Sequence, residues 1–140
     1  MSTAFQVCID AHDPHATNRF WAAALGYDVE DHEPMIVRML EAGFATDDDV
    51  CMVDGHKAWR SAAACGDPDG RGPRVLVQLV PETKAAKNRV HLDLRVGEDR
   101  RAGEVERLIA LGARHLWDGQ QGPQRWVTLA DPEGNEFCVS

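Results

Sequence analysis

Apolar and polar positions alternate along residues 87–94. Val90, Leu92 and Leu94 fall on one side, and Arg89, His91 and Asp93 on the other. Such alternation predicts a strand with one buried face. On a pleated strand His91 and Asp93 share a side, roughly 7 Å apart. Residues 5–10 alternate in the same way, with Phe5, Val7 and Ile9 set against Gln6, Cys8 and Asp10. Further strands are predicted at 27–30, 74–80, 114–117, 125–129 and 136–139. A hairpin is predicted at 50–60, turning at Asp54–Gly55.

The period changes to a helical one in three places. After Asp13 as N-cap and Pro14 at the first helical position, Ala16, Phe20, Ala23 and Ala24 form one face, and Gly26 stops the helix. Met35, Ile36, Met39 and Leu40 recur at helical spacing between Pro34 and Gly43. Ala102, Val105, Leu108 and Ile109 mark a helix opened by Glu98 and Asp99.

The two halves repeat one another. Ala24-Leu25-Gly26 answers Ala110-Leu111-Gly112, and Asp67-Pro68-Asp69-Gly70 answers Asp131-Pro132-Glu133-Gly134. A long period with a helix inside it predicts two βαβββ copies that share one sheet, an α+β fold. The chain reads as one domain over residues 1–140. Its first copy covers about 1–82 with an insertion at about 33–59, and its second covers about 87–140.

Composition narrows the function classes. At 44% apolar and 27% charged residues, the 140-residue chain is globular rather than disordered. A net charge of −8 argues against nucleic acid or an anionic membrane as partner. No apolar run approaches a membrane span, and residues 1–6 lack the blocks of a signal peptide, so a cytoplasmic protein is expected. Cys8, Cys51, Cys65 and Cys138 form no paired spacing, which favours free thiols over a disulfide framework or a structural zinc site.

The doubled unit resembles the vicinal oxygen chelate superfamily of glyoxalase I, bleomycin-resistance proteins and extradiol dioxygenases, and within it the glyoxalase-like domain proteins. The resemblance is carried by Asp13-Pro14, the run Phe20-Trp21-Ala22-Ala23-Ala24-Leu25-Gly26, the stretch Asn88-Arg89-Val90-His91-Leu92-Asp93, and Asp131-Pro132-Glu133-Gly134-Asn135-Glu136-Phe137-Cys138-Val139. It implies a curved mixed sheet around a U-shaped cavity, with helices on the outer face. It also implies four inward positions that ligate a metal in the family's metalloenzymes. Strand phase carries these over to Gln6, Gln78, His91 and Cys138, of which only His91 is a usual ligand of that set. A divalent metal on His91 is thus compatible with the chain but not favoured.

His91 remains open to three readings: metal ligand, general base oriented by Asp93, or a hydrogen-bonded core histidine. Glu136 shares the inner face as a second carboxylate. Gln6 and Gln78 could orient a substrate or hold each other. Trp59 and Trp126, on strands, could wall the cavity, and Cys138 reads as a thiol with nothing basic beside it in sequence. The reading is a small-molecule binder with lyase- or isomerase-type chemistry. His91, Asp93 and Glu136 would be catalytic, and Gln6, Gln78, Trp59, Trp126 and Cys138 would contact substrate. The competing reading is a metal-free sequestering protein of the bleomycin-resistance type. A homodimer is expected by family analogy alone.

Overall fold

The computed structural model describes all residues, Met1–Ser140. The fold is mixed α+β, and the chain falls into two compact units, Met1–Pro81 and Glu82–Ser140. No helix is long and apolar enough to cross a membrane.

Unit 1 contains β1 (Val7–Ala11), α1 (Pro14–Leu25), β2 (Asp28–Val29), α2 (Glu33–Glu41), β3 (Val50–Val53), β4 (His56–Trp59), β5 (Ala62–Gly66) and β6 (Val75–Leu79). Its four-stranded sheet has the order β1-β6-β5-β2; β1 and β6 are parallel and the other pairs antiparallel. Local chemistry sets the ends of α1. Asp13 Oδ1 accepts from the Ala16 N–H at 2.9 Å, Pro14 supplies its fixed φ, and Gly26 closes the helix at φ 69°. The helix lies on β5 and β6, and Asn18 Nδ2 donates to the Ala64 carbonyl at 3.0 Å. Its Ala22 packs with Ala11, Cys65, Val75 and Val77 in one buried cluster.

Between β2 and β5 the chain adds α2 and the β3–β4 hairpin. Asp54 (φ 50°) and Gly55 (φ 83°) both take positive φ, as a two-residue type I′ turn requires. Glu33 ties the hairpin to α2, accepting from the Lys57 N–H at 3.0 Å and contacting His56 Nδ1 at 2.8 Å.

Unit 2 contains β7 (Asp93–Leu94), α3 (Glu98–Ala110), β8 (Arg114–Gln121), β9 (Gln124–Ala130) and β10 (Glu136–Val139). Its sheet order, β7-β10-β9-β8, repeats that of unit 1, again with the first strand parallel to the last. Leu108, Leu129, Phe137 and Val139 are fully buried. Each such side chain contributes about 1.5–3 kcal/mol. The two Asp-Pro turns are also alike. Asp67 Oδ1 accepts from the Asp69 N–H and Asp131 Oδ1 from the Glu133 N–H, both at 2.9 Å, and Gly70 and Gly134 have positive φ.

Three elements differ from the sequence reading. The strand expected at 87–94 is confined to Asp93–Leu94, and Val90 is 84% exposed. Side chains hold the preceding segment instead: Asn88 N–H donates to Glu136 Oε2 at 3.0 Å, and Asn88 Nδ2 to Asn135 Oδ1 at 2.9 Å. β5 was not anticipated, because its Ala-Ala-Ala-Cys-Gly sequence lacks β-branched residues and alternation. The strand predicted at 114–117 is longer, since β8 runs on through Gln121.

Candidate functional site

Unit 2 carries a cleft of about 770 Å³, lined by its own residues. That is within the usual range for small-molecule sites. The segment through β7 presents His91, Asp93 and Arg95, β10 and the residue after it present Glu136, Cys138 and Ser140, and β9 presents Gln124, Trp126 and Thr128. Each set is spaced by two residues, so the sheet's pleat aims all three at one face.

At the floor, His91 Nδ1 lies 3.0 Å from Asp93 Oδ1. Asp93 is the ladder partner of Cys138, which is in turn opposite Thr128. The Thr128 hydroxyl is 3.4 Å from Cys138 Sγ. Burial pushes the Cys138 thiol up, and the charge and hydrogen bond of Asp93 add to this against the opposing effect of Thr128. Cys138 therefore stays a thiol at neutral pH, a hydrogen-bond partner rather than a nucleophile. The imidazole is 36% exposed, and its Nε2 has no protein partner.

Glu136 is committed elsewhere. It accepts from Lys84 Nζ and from the Asn88 N–H, both at 3.0 Å. Burial pushes its carboxyl up, but the Asn88 amide, its own backbone amide and the Lys84 ammonium outweigh this and hold it below the usual range. It fastens the 84–88 segment to β10 and is not poised to take up a proton.

Two tryptophans wall the cleft, Trp126 and Trp117. A bulge at Leu116 breaks the register between His115 and Trp117. Without it Trp117 would pair with Val127; with it, Trp117 pairs with Thr128 and joins the cleft face. The Trp126 indole lies over its ladder partner Gly119, where an added Cβ would come within 2.1 Å of the ring. Only glycine leaves room for the ring there.

Gln6, Gln78 and Trp59 belong to unit 1, where neighbours engage them. Arg74 Nη1 donates to Gln6 Oε1 at 3.0 Å, Cys8 Sγ donates to Gln78 Oε1 at 3.2 Å, and the Trp59 carbonyl lies 2.8 Å from His15 Nε2. The two amides do not hold each other, and none of these three residues lines the unit 2 cleft. Sequence reasoning missed Arg95, although the alternation of His91 and Asp93 extends to it. It also missed Thr128, Arg101 and Arg125, which the strand pairing and α3 bring in.

The ligating atoms of His91, Asp93 and Cys138 all lie within 4.8 Å of one another. One cation fits among them, and a nitrogen, oxygen and sulfur set suits zinc better than magnesium or manganese.

A family model described as a glyoxalase-like domain matches residues 6–140. A search of curated proteins finds no match. Among solved structures, the chain is similar to the fosfomycin resistance protein FosX from Mesorhizobium loti, at 12% identity and a TM-score of 0.63 over 99% of this chain and 90% of that one. It is similar to a glyoxalase/bleomycin resistance protein/dioxygenase family enzyme from Burkholderia phytofirmans, at 16% identity and a TM-score of 0.62, covering 96% and 94%. A glyoxalase-related enzyme from Fulvimarina pelagi gives 15% identity and a TM-score of 0.61, covering 99% and 87%. At such identities the likeness is one of fold.

Proposed function

The chain belongs to the glyoxalase-like domain family of the vicinal oxygen chelate superfamily, and from that premise we propose that it binds a small organic molecule in the unit 2 cleft and transforms it by proton transfer, as a lyase or isomerase. The observation that supports this is the 3.0 Å contact between His91 Nδ1 and Asp93 Oδ1. With Nδ1–H donating to the carboxylate, Nε2 carries the lone pair, and His91 lines the cleft. A positioned imidazole of this kind contributes about 10²–10⁴-fold to a proton transfer.

In the reaction, Nε2 removes a proton from the carbon beside a carbonyl, and the bonding pair shifts to the carbonyl oxygen. With an α-hydroxyketone the imidazolium returns the proton to the former carbonyl carbon while the hydroxyl proton passes to the other oxygen of the enediolate, so an isomerisation closes with no other reactant. Asp93 stabilises the imidazolium and holds the ring's tautomer. A divalent metal would be held by His91, Asp93 and Cys138 only with the imidazole as a ligand in place of the base, and it would then supply Lewis-acid polarisation of a substrate oxygen. The second reading, sequestration without turnover, draws on the aromatic walls Trp117 and Trp126, which suffice to hold a planar ligand.

The test is hydrogen–deuterium exchange at the α-carbon of a panel of hydroxyketones and dicarbonyls in D₂O. Exchange in the wild type that falls about 10²–10⁴-fold in His91→Asn is the expected result. Equal exchange in the variant defeats the proton-transfer reading. Binding with no exchange by the wild type leaves sequestration.

A further inference from the structure

The unit 2 cleft is charged against the trend of the chain. The whole sequence carries a net −8, yet the lining gathers four cations, Lys87, Arg95, Arg101 and Arg125, against three carboxylates. The carboxylates already have partners. Asp93 is held by His91, Glu136 by Lys84 and the Asn88 amide, and Glu98 lies 4.0 Å from Arg101. The cations are less engaged. The side chains of Arg95 and Arg125 have no intramolecular partner, and Lys87 Nζ reaches only the Asn88 carbonyl, at 3.2 Å. Arg95 follows His91 and Asp93 at the same two-residue spacing, so its guanidinium stands on the catalytic face.

We infer that the molecule taken by this cleft is an organic anion with a planar unsaturated body, an aromatic or conjugated carboxylate. This rests on the reading of the cleft as the binding site and adds the substrate class. Guanidinium groups without a partner present paired N–H donors that match the two oxygens of a carboxylate. Trp117 and Trp126 offer flat apolar surface beside them. Indole faces would also attract a cation, but four like charges in the same lining repel one. A carboxylate set on Arg95 brings the carbon framework of the ligand alongside the free nitrogen of His91, where a proton would be moved.

The test is calorimetric titration of the whole chain with three probes of one shape: 2-naphthoate, its uncharged amide, and naphthylmethylammonium. The expected order is naphthoate at least about tenfold tighter than the amide, and the ammonium weakest; about tenfold more salt weakens naphthoate alone. In the double variant Arg95→Gln/Arg125→Gln, both at exposed positions, the advantage of naphthoate over the amide shrinks towards unity while amide binding is kept. Equal binding of naphthoate and amide by the wild type, no binding of naphthoate, or a charge preference that survives the double variant overturns the inference. Titration involves no turnover, so it reports charge recognition whether or not His91 moves a proton.

Discussion

The sheets of the two units share a strand order, and in each the first strand runs parallel to the last. Their polar faces differ. In unit 1 the amide oxygens of Gln6 and Gln78 are held by Arg74 and Cys8, and Arg74 is itself clasped by Glu30. In unit 2 the face carries an imidazole with one nitrogen fixed and the other free, and two arginines with no partner. The same scaffold therefore supports a closed hydrogen-bonded network once and a face of unpartnered polar groups once. What separates the two polar faces is whether their side chains find intramolecular partners, and unpartnered donors on such a face mark where a ligand can bind.

The largest effect is expected from Asp93→Asn, which removes the charge that orients His91. Exchange at a substrate carbon falls about 10²–10⁴-fold, as a rate effect with little change in binding. A second readout separates positioning from mere structure. Asp93 raises the Cys138 thiol by charge and hydrogen bond, so its loss lets that thiol ionise more readily. Cys138 then reacts faster with a disulfide reagent at fixed pH. An unchanged labelling rate at Cys138 would show that the carboxylate does not govern this face.

A smaller effect is expected from the seat of Trp126. Gly119→Ala puts a methyl group where the indole lies, and it lowers stability by about 1–3 kcal/mol while shifting Trp126 into the cleft. The control is Gly103 on α3, where an added Cβ meets nothing within 4 Å. Gly103→Ala raises stability by about 0.5–1 kcal/mol, because it restricts the unfolded chain. Denaturant unfolding measures both, and a neutral Gly119→Ala would remove the case for a fixed aromatic wall.

Features set by near neighbours were readable from the chain. Asp13-Pro14 and Gly26 bound α1, Asp54-Gly55 turns the hairpin, and the two Asp-Pro turns have the same hydrogen bond, because a cap or a turn is decided within a few residues. Period two likewise puts His91 and Asp93 on one side. Long-range features were not readable. β5 becomes a strand through its pairing with β6 rather than through propensity. Asn88 leaves the strand for the side chains of Glu136 and Asn135, some 47 residues away. The bulge at Leu116 reverses the phase that alternation would assign to Trp117. Gln6 and Gln78 are placed by analogy with a family's ligand positions and Trp59 by its strand alone, whereas their contacts are set by Arg74, Cys8 and His15.

The network in unit 1 gives the mildest of the expected losses, and one with a definite pH window. Glu30 accepts two bonds from Arg74, at 2.6 and 2.7 Å, and lies 2.8 Å from His32 Nε2. The Arg74 bonds, assisted by His32 against the opposing effect of burial, hold its carboxyl down at about 2 rather than 4.5. The folded value is below the unfolded one, so the pair stabilises the fold fully above about pH 4.5 and loses that contribution as pH falls through about 2. Both partners are about a third exposed, which reduces the contribution to about 1–2 kcal/mol. Glu30→Gln should therefore cost about that much at neutral pH, and its unfolding curve should converge on the wild type's as the medium approaches pH 2. If the two curves stay parallel down to that pH, the Arg74 clasp is not what separates them, and the account of unit 1 as a closed structural network loses its main tie.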